Sequence, residues 1–257
     1  MEKREIRNSY PLKESDHIYG IRAIIEAIHA GKEVDRIFIQ KNARNELIKE
    51  LIQLARANNL PMVQVPQEKL DRITKKNHQG AVCLLSGITY ASLDHILSQT
   101  FENGKIPLIA ILDRITDVRN FGAIVRSAEG AGVHAIVVPS RGNAPTSADA
   151  IKTSAGALHH LPICRSENLK ETISFLKDSG LRIIGCTEKA EVLHFDENLK
   201  DPVALLMGSE DDGISPEYLK MCDGLIKIPM LGKIASLNVS VSAGIIFYEA
   251  IRQRITM

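Results

Sequence analysis

The alternation of apolar and polar positions divides the chain into two regions of different character. In the first region the spacing predicts three helices and three short strands, the helices at about 19–29, 44–58 and 67–74 and the strands at about 36–40, 62–65 and 81–85. Gly31 is suited to end the first helix. These elements predict a small α/β domain over residues 1–95, with a basic tail at its N-terminus.

The second region contains near-continuous apolar runs, namely LIAILD, AIVVP, LPIC, LRIIGC, VALLMG and LIKIP, separated by segments with helical character such as 118–131. Strands that are buried on both faces have this pattern in a parallel sheet covered by helices. We therefore predict an α/β domain with a parallel sheet over residues 107–257. The segment 92–107 is predicted to contain a helix followed by the turn-rich residues 102–105, and we expect 96–106 to be the linker.

Composition narrows the class of protein. The chain has 257 residues, of which 44% are hydrophobic and 25% are charged, as in ordinary globular proteins. The first 17 residues lack the apolar core of a signal peptide, and no apolar run is long enough to span a membrane. We expect a cytoplasmic protein with no membrane partner. Because the net charge is only +1, binding of nucleic acid would depend on local patches.

Metal and redox chemistry find little support in the sequence. The four cysteines are scattered, without a C-x-x-C pair or a histidine at metal-ligand spacing, and we interpret all of them as core residues: Cys83, Cys164, Cys186 and Cys222. His159 and His160 point in different directions and have no acidic partner nearby, so we interpret them as structural. We predict no metal site.

One short pattern imitates a dinucleotide-binding fingerprint. Gly130, Gly132 and Ala135 fit G-x-G-x-x-A, but that fingerprint follows a strand and opens a helix. Here the glycines end a predicted helix and lead into a strand. We interpret Gly130 and Gly132 as a helix stop and a tight turn.

Polar residues follow two of the predicted strands, where α/β sheets place their sites. In 113–126 a strand ends in a polar loop and a helix begins near Asn120, with Arg126 further along it. A capping role for Asn120 and a solvated charge at Arg126 remain open. In 205–215 the strand breaks into Gly208, Ser209 and Glu210; of the acidic residues Glu210 is the candidate, because Asp211 and Asp212 are better read as solvated charges near a helix start.

The third unusual segment, 225–244, passes from a strand through an apolar, glycine-containing loop into a long helix. Ser236, Asn238 and Ser240, with Leu237 between them, place polar groups at the start of that helix. A capped helix with small residues for close packing would explain Ser236, but not the apolar loop before it. Elsewhere, Lys75, Lys76 and His78 precede a strand and are candidates for contacts with phosphate, although exposed lysines are common.

Taken in order, N-F-G-A-I-V-R (120–126), M-G-S-E-D-D-G-I-S (207–215) and I-P-M-L-G-K-I-A-S-L-N-V-S-V-S-A-G (228–244) resemble the three signature motifs of the SpoU, or TrmH-like, RNA 2′-O-methyltransferases of the SPOUT superfamily. In the first region Y-G-I-R-A-I-I-E-A-I (19–28) and H-Q-G (78–80) are similar to the substrate-binding domain of that family. The closest resemblance is to members that methylate a guanosine ribose in 23S ribosomal RNA.

This resemblance implies a parallel sheet whose C-terminal segment is threaded into a trefoil knot, an exception to the usual absence of knots. It implies S-adenosyl-L-methionine as cofactor, held by backbone groups around Gly208, Ile228 and Leu237 with Thr187 nearby. It also implies a homodimer in which each site uses residues of both chains, with structured RNA as the substrate and no DNA.

The resemblance also suggests roles for the polar residues. Arg126 matches the catalytic arginine of the family, and because a guanidinium stays charged in proteins we interpret it as a cation that stabilises the forming alkoxide. Asn120 would orient Arg126, while Glu210, Ser236 and Asn238 would shape the pocket and place the ribose. A tRNA ribose methyltransferase and a non-catalytic RNA-binding assembly factor are the alternatives.

Overall fold

The computed structural model describes residues 17–43 and 45–255, which form two compact units divided between Gly87 and Ile88. The predicted basic tail and Arg44, with which the second helix was expected to begin, lie outside the described residues. No helix in these two stretches of chain has the length and apolar character that a membrane span requires.

The first unit is a four-stranded sheet with helices on both faces. Its elements are β1 (His17–Tyr19), α1 (Ile21–His29), β2 (Val34–Gln40), α2 (Glu46–Ala57), β3 (Met62–Val65), α3 (Gln67–Ile73) and β4 (Ala81–Leu85). The strand order is β1-β4-β2-β3, in which β2 and β3 are parallel and the other pairs antiparallel. The six predicted elements are confirmed to within a few residues, whereas the three-residue β1 was not predicted.

The second unit begins with α4 (Leu93–Glu102) and contains a seven-stranded sheet. Its further elements are β5 (Leu108–Leu112), α5 (Val118–Gly130), β6 (Ala135–Pro139), α6 (Ala148–Thr153), β7 (Ile163–Ser166), α7 (Leu169–Asp178), β8 (Arg182–Cys186), β9 (Val192–Leu193), β10 (Val203–Met207), α8 (Pro216–Leu219), β11 (Gly224–Lys227) and α9 (Val239–Ile255). The order is β7-β6-β5-β10-β8-β11-β9, and every pairing is parallel.

Both faces of this sheet are buried. Along β5, Leu108, Ala110 and Leu112 pack into a core shared with α5 and α9, while Ile109 and Ile111 pack into a second core shared with α4 and α7. Alternate side chains of one strand thus enter different cores, which is why the strand is apolar throughout. The predicted α/β fold with a parallel sheet is confirmed.

The segment 96–106, which was predicted as the linker, belongs to the second unit. Most of it is the helix α4, whose Leu97 is buried in the core beneath the sheet. The turn-rich residues after it end the helix, and Gly104 has a positive φ of 66°. The turn chemistry was read correctly, but it marks the end of a helix and not the division between units.

The structure also tests the predictions made for Gly130 and Gly132 and for the four cysteines. The helix α5 ends at Gly130, and Gly132 has φ of 68° before β6, so these glycines form a helix stop and turn as expected. Cys83 and Cys164 are buried and Cys186 and Cys222 partly buried. Within the described residues no cluster of histidine, cysteine or acidic side chains could hold a metal ion.

Candidate active site

The three sequence motifs meet at the side-chain amide of Asn238. Its Nδ2 donates to Asn120 Oδ1 at 3.0 Å and to Glu210 Oε1 at 2.5 Å, while its Oδ1 accepts from Ser240 N at 2.9 Å and Ser240 Oγ at 2.5 Å. All four hydrogen-bonding positions of the amide are therefore used. A reversed amide would bring Oδ1 against two acceptor oxygens, so the network fixes its orientation.

Asn238 occupies this position because it caps the long helix α9. Its backbone oxygen accepts from Ser242 N, and its side chain accepts from the N–H of Ser240 in the first turn. The helix packs against α5, and an ideal Cβ built on Gly244 would lie 3.6 Å from Ser127 Oγ. A Cβ at this distance would make only an ordinary contact, so the packing of α9 on α5 does not depend on a glycine at this position.

The side chain of Asn120 is free to make this contact because another residue caps the start of α5. Asp117 is the N-cap, and its Oδ1 accepts from Arg119 N at 2.8 Å and from Asn120 N at 3.0 Å. The alternative in which Asn120 itself caps the helix is therefore wrong. Because Asp117 satisfies the first free N–H groups, the side chain of Asn120 is able to bond across to α9.

Arg126 lies on the same helix as Asn120 but faces another direction. Six residues of α-helix correspond to a rotation of about 240°, and Asn120 Oδ1 faces Asn238. The structure thus differs from the expectation that Asn120 orients Arg126. Arg126 is exposed, and its guanidinium makes no hydrogen bond or ion pair with any residue that the structure describes.

Glu210 stands at the tip of a tightly closed loop. Ser209 N donates to Gly213 O at 3.2 Å and Gly213 N donates to Ser209 O at 3.0 Å, which leaves Glu210 and its two acidic neighbours at the turn. A Cβ on Gly208 would lie 2.0 Å from the carbonyl carbon of Gly213. Gly208 is therefore required by the protein's own loop, beyond the ligand approach that the sequence suggested.

A clamp between Asp113 and Arg114, which the sequence analysis did not single out, holds this loop against the end of β5. Asp113 is 2% exposed, and its Oδ2 accepts from Ser215 N and Ser215 Oγ, both at 2.7 Å. Arg114 Nε donates to Asp113 Oδ1 at 3.1 Å, and its terminal nitrogens reach Gly213 O at 3.1 Å and Asp212 Oδ2 at 3.2 Å. The Arg114 side chain thus connects the end of β5 with the second motif.

Arg114 makes these contacts with a strained backbone. Its φ is 59°, in the left-handed region that non-glycine residues seldom adopt. The hydrogen bond to Asp113 raises the pKa of the Arg114 guanidinium. Asp212, interpreted from sequence as solvated, is 75% exposed on its side chain although it pairs with Arg114, and such an exposed pair contributes little by itself.

The residues expected to surround the cofactor lie along one edge of the sheet. Thr187, Gly208 and Ile228 follow β8, β10 and β11, which are neighbours and parallel, so their carboxyl ends meet. Thr187 N donates to Ile226 O at 2.9 Å, which ties the ends of β8 and β11 together.

The loop 228–237 completes this edge. Among the described residues its backbone N–H and C=O groups have no hydrogen-bond partner. Its apolar side chains are also uncovered: Leu231 is 99% and Ile234 73% exposed, and Leu237 is partly exposed. Ser236 is exposed and makes no hydrogen bond to the Asn120–Glu210–Asn238 cluster within the described part of the chain. This loop offers both polar backbone groups and apolar surface to a ligand.

Comparison with known proteins identifies the family. Residues 107–248 match the SpoU rRNA Methylase family, and residues 17–91 match the family described as RNA 2′-O ribose methyltransferase substrate binding. The chain belongs to the SpoU rRNA methylase family. The family resemblance drawn from the three motifs is confirmed.

Individual relatives of this family cover between 64% and 94% of the chain. YacO of Bacillus subtilis (strain 168), whose name places it in the TrmH family of tRNA/rRNA methyltransferases, is 34% identical over 94% of this chain and 97% of its own. The SpoU methyltransferase AviRb from Streptomyces viridochromogenes, crystallised with AdoMet, is 26% identical with a TM-score of 0.60, over 94% and 91% of the two chains. The TrmH/SpoU tRNA modifying enzyme of A. aeolicus is 30% identical with a TM-score of 0.54, over 64% and 85%.

The SpoU substrate-binding match includes the three residues expected to contact phosphate, which the structure separates into two groups. Lys75 and Lys76 are exposed, with Lys76 Nζ 5.4 Å from the ring centre of Tyr19. His78 is buried: its Nδ1 accepts from Gly80 N at 3.0 Å, so Nε2 carries the proton and donates to Asp71 Oδ1, also at 3.0 Å. Both ring nitrogens are occupied, so His78 supports the turn before β4 instead of facing a phosphate.

Proposed function

We propose that this protein transfers a methyl group from S-adenosyl-L-methionine to the 2′-hydroxyl of a guanosine ribose in 23S ribosomal RNA. The observation that carries the proposal is the convergence of Asn120, Glu210 and Asn238 at the carboxyl edge of the parallel sheet. Membership of a methylase family supports the reaction class. A ribosomal RNA substrate would place the protein in the cytoplasm.

The loop 228–237 and its neighbours fit S-adenosyl-L-methionine, which supplies an activated methyl group on a sulfonium centre. The free backbone groups near Gly208, Ile228 and Leu237 suit the polar edge of an adenine, and the exposed apolar side chains suit its faces. Thr187 borders the same edge. AdoMet bound to AviRb supports this assignment. The trefoil knot implied by the motifs belongs to the same proposal.

The cluster around Asn238 is suited to hold a ribose. Glu210 Oε2 and Asn120 Nδ2 are not used in any hydrogen bond among the described residues, so an acceptor and a donor remain free on either side of Asn238. A ribose presents two hydroxyl groups that need such partners. We assign Glu210, Asn120 and Asn238 to the placement of the ribose, together with Ser236, which lies two residues before Asn238 in the chain.

Arg126 would act as the cation for the developing negative charge on the 2′-oxygen. Its guanidinium remains protonated, so it stabilises the alkoxide, and the proton passes to a substrate phosphate or to water. Because Asn120 does not orient it within the described chain, Arg126 requires another partner, and RNA or a second subunit would supply one. The exposed apolar side chains of Val241 and Tyr248 on α9 support the proposed homodimer.

Transfer RNA is the second candidate substrate, because relatives of this chain include the tRNA modifying enzyme of A. aeolicus. The test is incubation of the purified protein with labelled S-adenosylmethionine and either deproteinised ribosomal RNA or tRNA, followed by alkaline hydrolysis and mapping. Alkali-resistant label at a guanosine of 23S RNA supports the proposal. Label only in tRNA would identify tRNA, and not ribosomal RNA, as the substrate. Cofactor binding without label in any RNA would favour the non-catalytic alternative.

A further inference from the structure

A cleft opens at the carboxyl ends of β6 and β7, beside the candidate active site. It has a volume of about 410 Å³ and is lined by Pro139, Ser140, Arg141, Glu167, Asn168, Leu169 and Tyr218. None of these residues belongs to the three sequence motifs, and the function proposed above does not use them.

The position of the cleft in the sheet relates it to the reaction. The proposed cofactor residues follow β8, β10 and β11, the Asp113–Arg114 clamp follows β5, and the cleft follows β6 and β7. Because all these strands are parallel, the cofactor residues, the clamp and the cleft lie at the same edge of the sheet, and β5, which carries the clamp, is the neighbour of β6.

The wall of the cleft is also joined to the clamp. Ala144 N donates to Ile115 O at 2.7 Å, and an ideal Cβ on Gly142 would lie 3.8 Å from Arg114 Cγ. Ser140 N donates to Ser166 O at 2.8 Å, which fastens the other end of the same loop to β7. A ligand in the cleft would therefore touch a loop that is held in register with the candidate active site.

The cleft combines apolar surfaces with one cation and one carboxylate. Pro139 and the ring of Tyr218 provide the apolar surfaces, whereas Leu169 is 3% exposed. Arg141 is exposed and has no partner among the described residues, whereas Asn168 is committed to capping α7 through its bonds to Lys170 N and Glu171 Oε1.

Glu167 can still accept a hydrogen bond from a ligand. Its Oε2 accepts from Ser140 Oγ at 3.0 Å, and its Oε1 is free within the described structure. A carboxylate in the cleft disfavours a bare anion, and the polar groups disfavour a purely apolar ligand. A nucleotide matches both features, since its base has apolar faces and an amino-bearing edge and its phosphate needs a cation.

We propose that this cleft binds a nucleotide adjacent to the methylated one in a single-stranded stretch of the RNA substrate. The base lies against Tyr218, its exocyclic amino group donates to Glu167 Oε1, and the backbone phosphate contacts Arg141. This inference rests on the proposed function, because it needs the ribose of a neighbouring nucleotide at the Asn238 cluster.

Steady-state kinetics with the RNA that the wild type labels provide the first test. Arg141→Ala is expected to raise KM for RNA roughly tenfold and to lower the salt dependence of binding by about one ion, with kcat and cofactor affinity unchanged. The matched control is Lys200→Ala, which removes an exposed cation before β10 at the opposite edge of the sheet. Equal KM values for Arg141→Ala, Lys200→Ala and wild type would overturn the proposal.

The substitution Glu167→Gln tests whether the carboxylate of Glu167 accepts a hydrogen bond from the base. With RNAs that vary only in the nucleotides flanking the target, the wild type should prefer bases with an amino group by about tenfold, and the variant should lose that preference. Glu167 is exposed, so the substitution leaves the core intact. An unchanged preference in the variant would show that the carboxylate does not contact the base.

A measurement that needs no methyl transfer separates failure of this inference from failure of the proposed function. A single-stranded oligoribonucleotide containing 6-thioguanosine, which keeps an exocyclic amino group, is crosslinked to the protein, and the modified peptides are identified by mass spectrometry. Crosslinks to the peptides that carry Arg141 or Tyr218, reduced in Arg141→Ala, support the cleft even in a protein without transferase activity. Crosslinks confined to other peptides in an active enzyme would refute the cleft alone.

Discussion

Asn238 Nδ2 lies 2.5 Å from Glu210 Oε1, so the N-cap of α9 is bonded directly to the loop that follows β10. The same nitrogen bonds Asn120 on α5. A residue that caps a helix therefore also aligns two other elements of the candidate active site, and capping and alignment can be separated by substitution.

The substitution Asn238→Asp separates helix capping from alignment of the site. Aspartate caps a helix as well as asparagine does, so the melting temperature should stay within about 2 °C of wild type. The substitution removes both donors and sets a carboxylate against Glu210, so the rate of methyl transfer should fall at least about a hundredfold. Initial rates and thermal melts measure the two quantities. A stable variant with near-normal activity would contradict a role for this amide in placing the ribose.

Arg114 should act through the loop that carries Glu210. Arg114→Ala and Glu210→Gln are each expected to lower kcat/KM by roughly tenfold or more, because either change releases the alignment of the same loop. The double variant should be little worse than the single ones, with a coupling energy of at least about 1 kcal/mol. The measurement is a double-mutant cycle on kcat/KM.

The control cycle combines Arg114→Ala with Lys200→Ala, which is remote from the loop and should be additive. If the effects of Arg114→Ala and Glu210→Gln add as independently as those of the control pair, Arg114 does not position Glu210. A normal Glu210→Gln enzyme would instead remove Glu210 from the proposed site.

Gly208 should tolerate no side chain, because its ideal Cβ would lie 2.0 Å from backbone of the same loop. Gly208→Ala is expected to lower the free energy of unfolding by about 3 kcal/mol or more, since backbone atoms yield less readily than side chains. Gly232→Ala is the control: no atom lies within 4 Å of its Cβ, and the change should be below about 0.5 kcal/mol. Comparable denaturant midpoints for the two variants would refute the packing described for Gly208.

The cysteine thiols should be unreactive in the folded protein. Burial raises the pKa of Cys164 to about 11 and, together with the charge of Asp223, that of Cys222 to about 11. A raised pKa leaves little thiolate below about pH 10, so at pH 8 iodoacetamide should modify these thiols roughly a hundredfold more slowly than an unperturbed cysteine. Rapid modification of one thiol with loss of transferase activity would contradict the assignment of all four cysteines to the core.

Much of the fold could be predicted because the spacing of apolar residues indicates directly which side chains are buried. The parallel sheet followed from apolar runs such as 108–112, whose alternate side chains enter two cores. The gathering of the motifs was predictable as well, since parallel strands end at a common edge. The two-residue strand β9 carries too little pattern to be found in this way.

Contacts between residues that are far apart in the chain could not be predicted from the sequence. Arg114 follows an aspartate and resembles an ordinary loop charge, and its partner Asp212 is 98 positions away. Its positive φ is likewise invisible in a single sequence. Asn120 was assigned to Arg126 because both lie in one motif, but helix geometry turns it toward Asn238. His78 was grouped with two exposed lysines, although its burial depends on Asp71 and the turn at Gly80.

The most direct test of the central claim is single-turnover transfer from labelled S-adenosylmethionine to ribosomal RNA, comparing wild type with Arg126→Ala while cofactor affinity is measured by calorimetry. We expect an alkali-resistant 2′-O-methyl product whose rate of formation falls about a hundredfold or more in the variant, with cofactor affinity unchanged. An unchanged rate, or a methyl group located on a base, would contradict it.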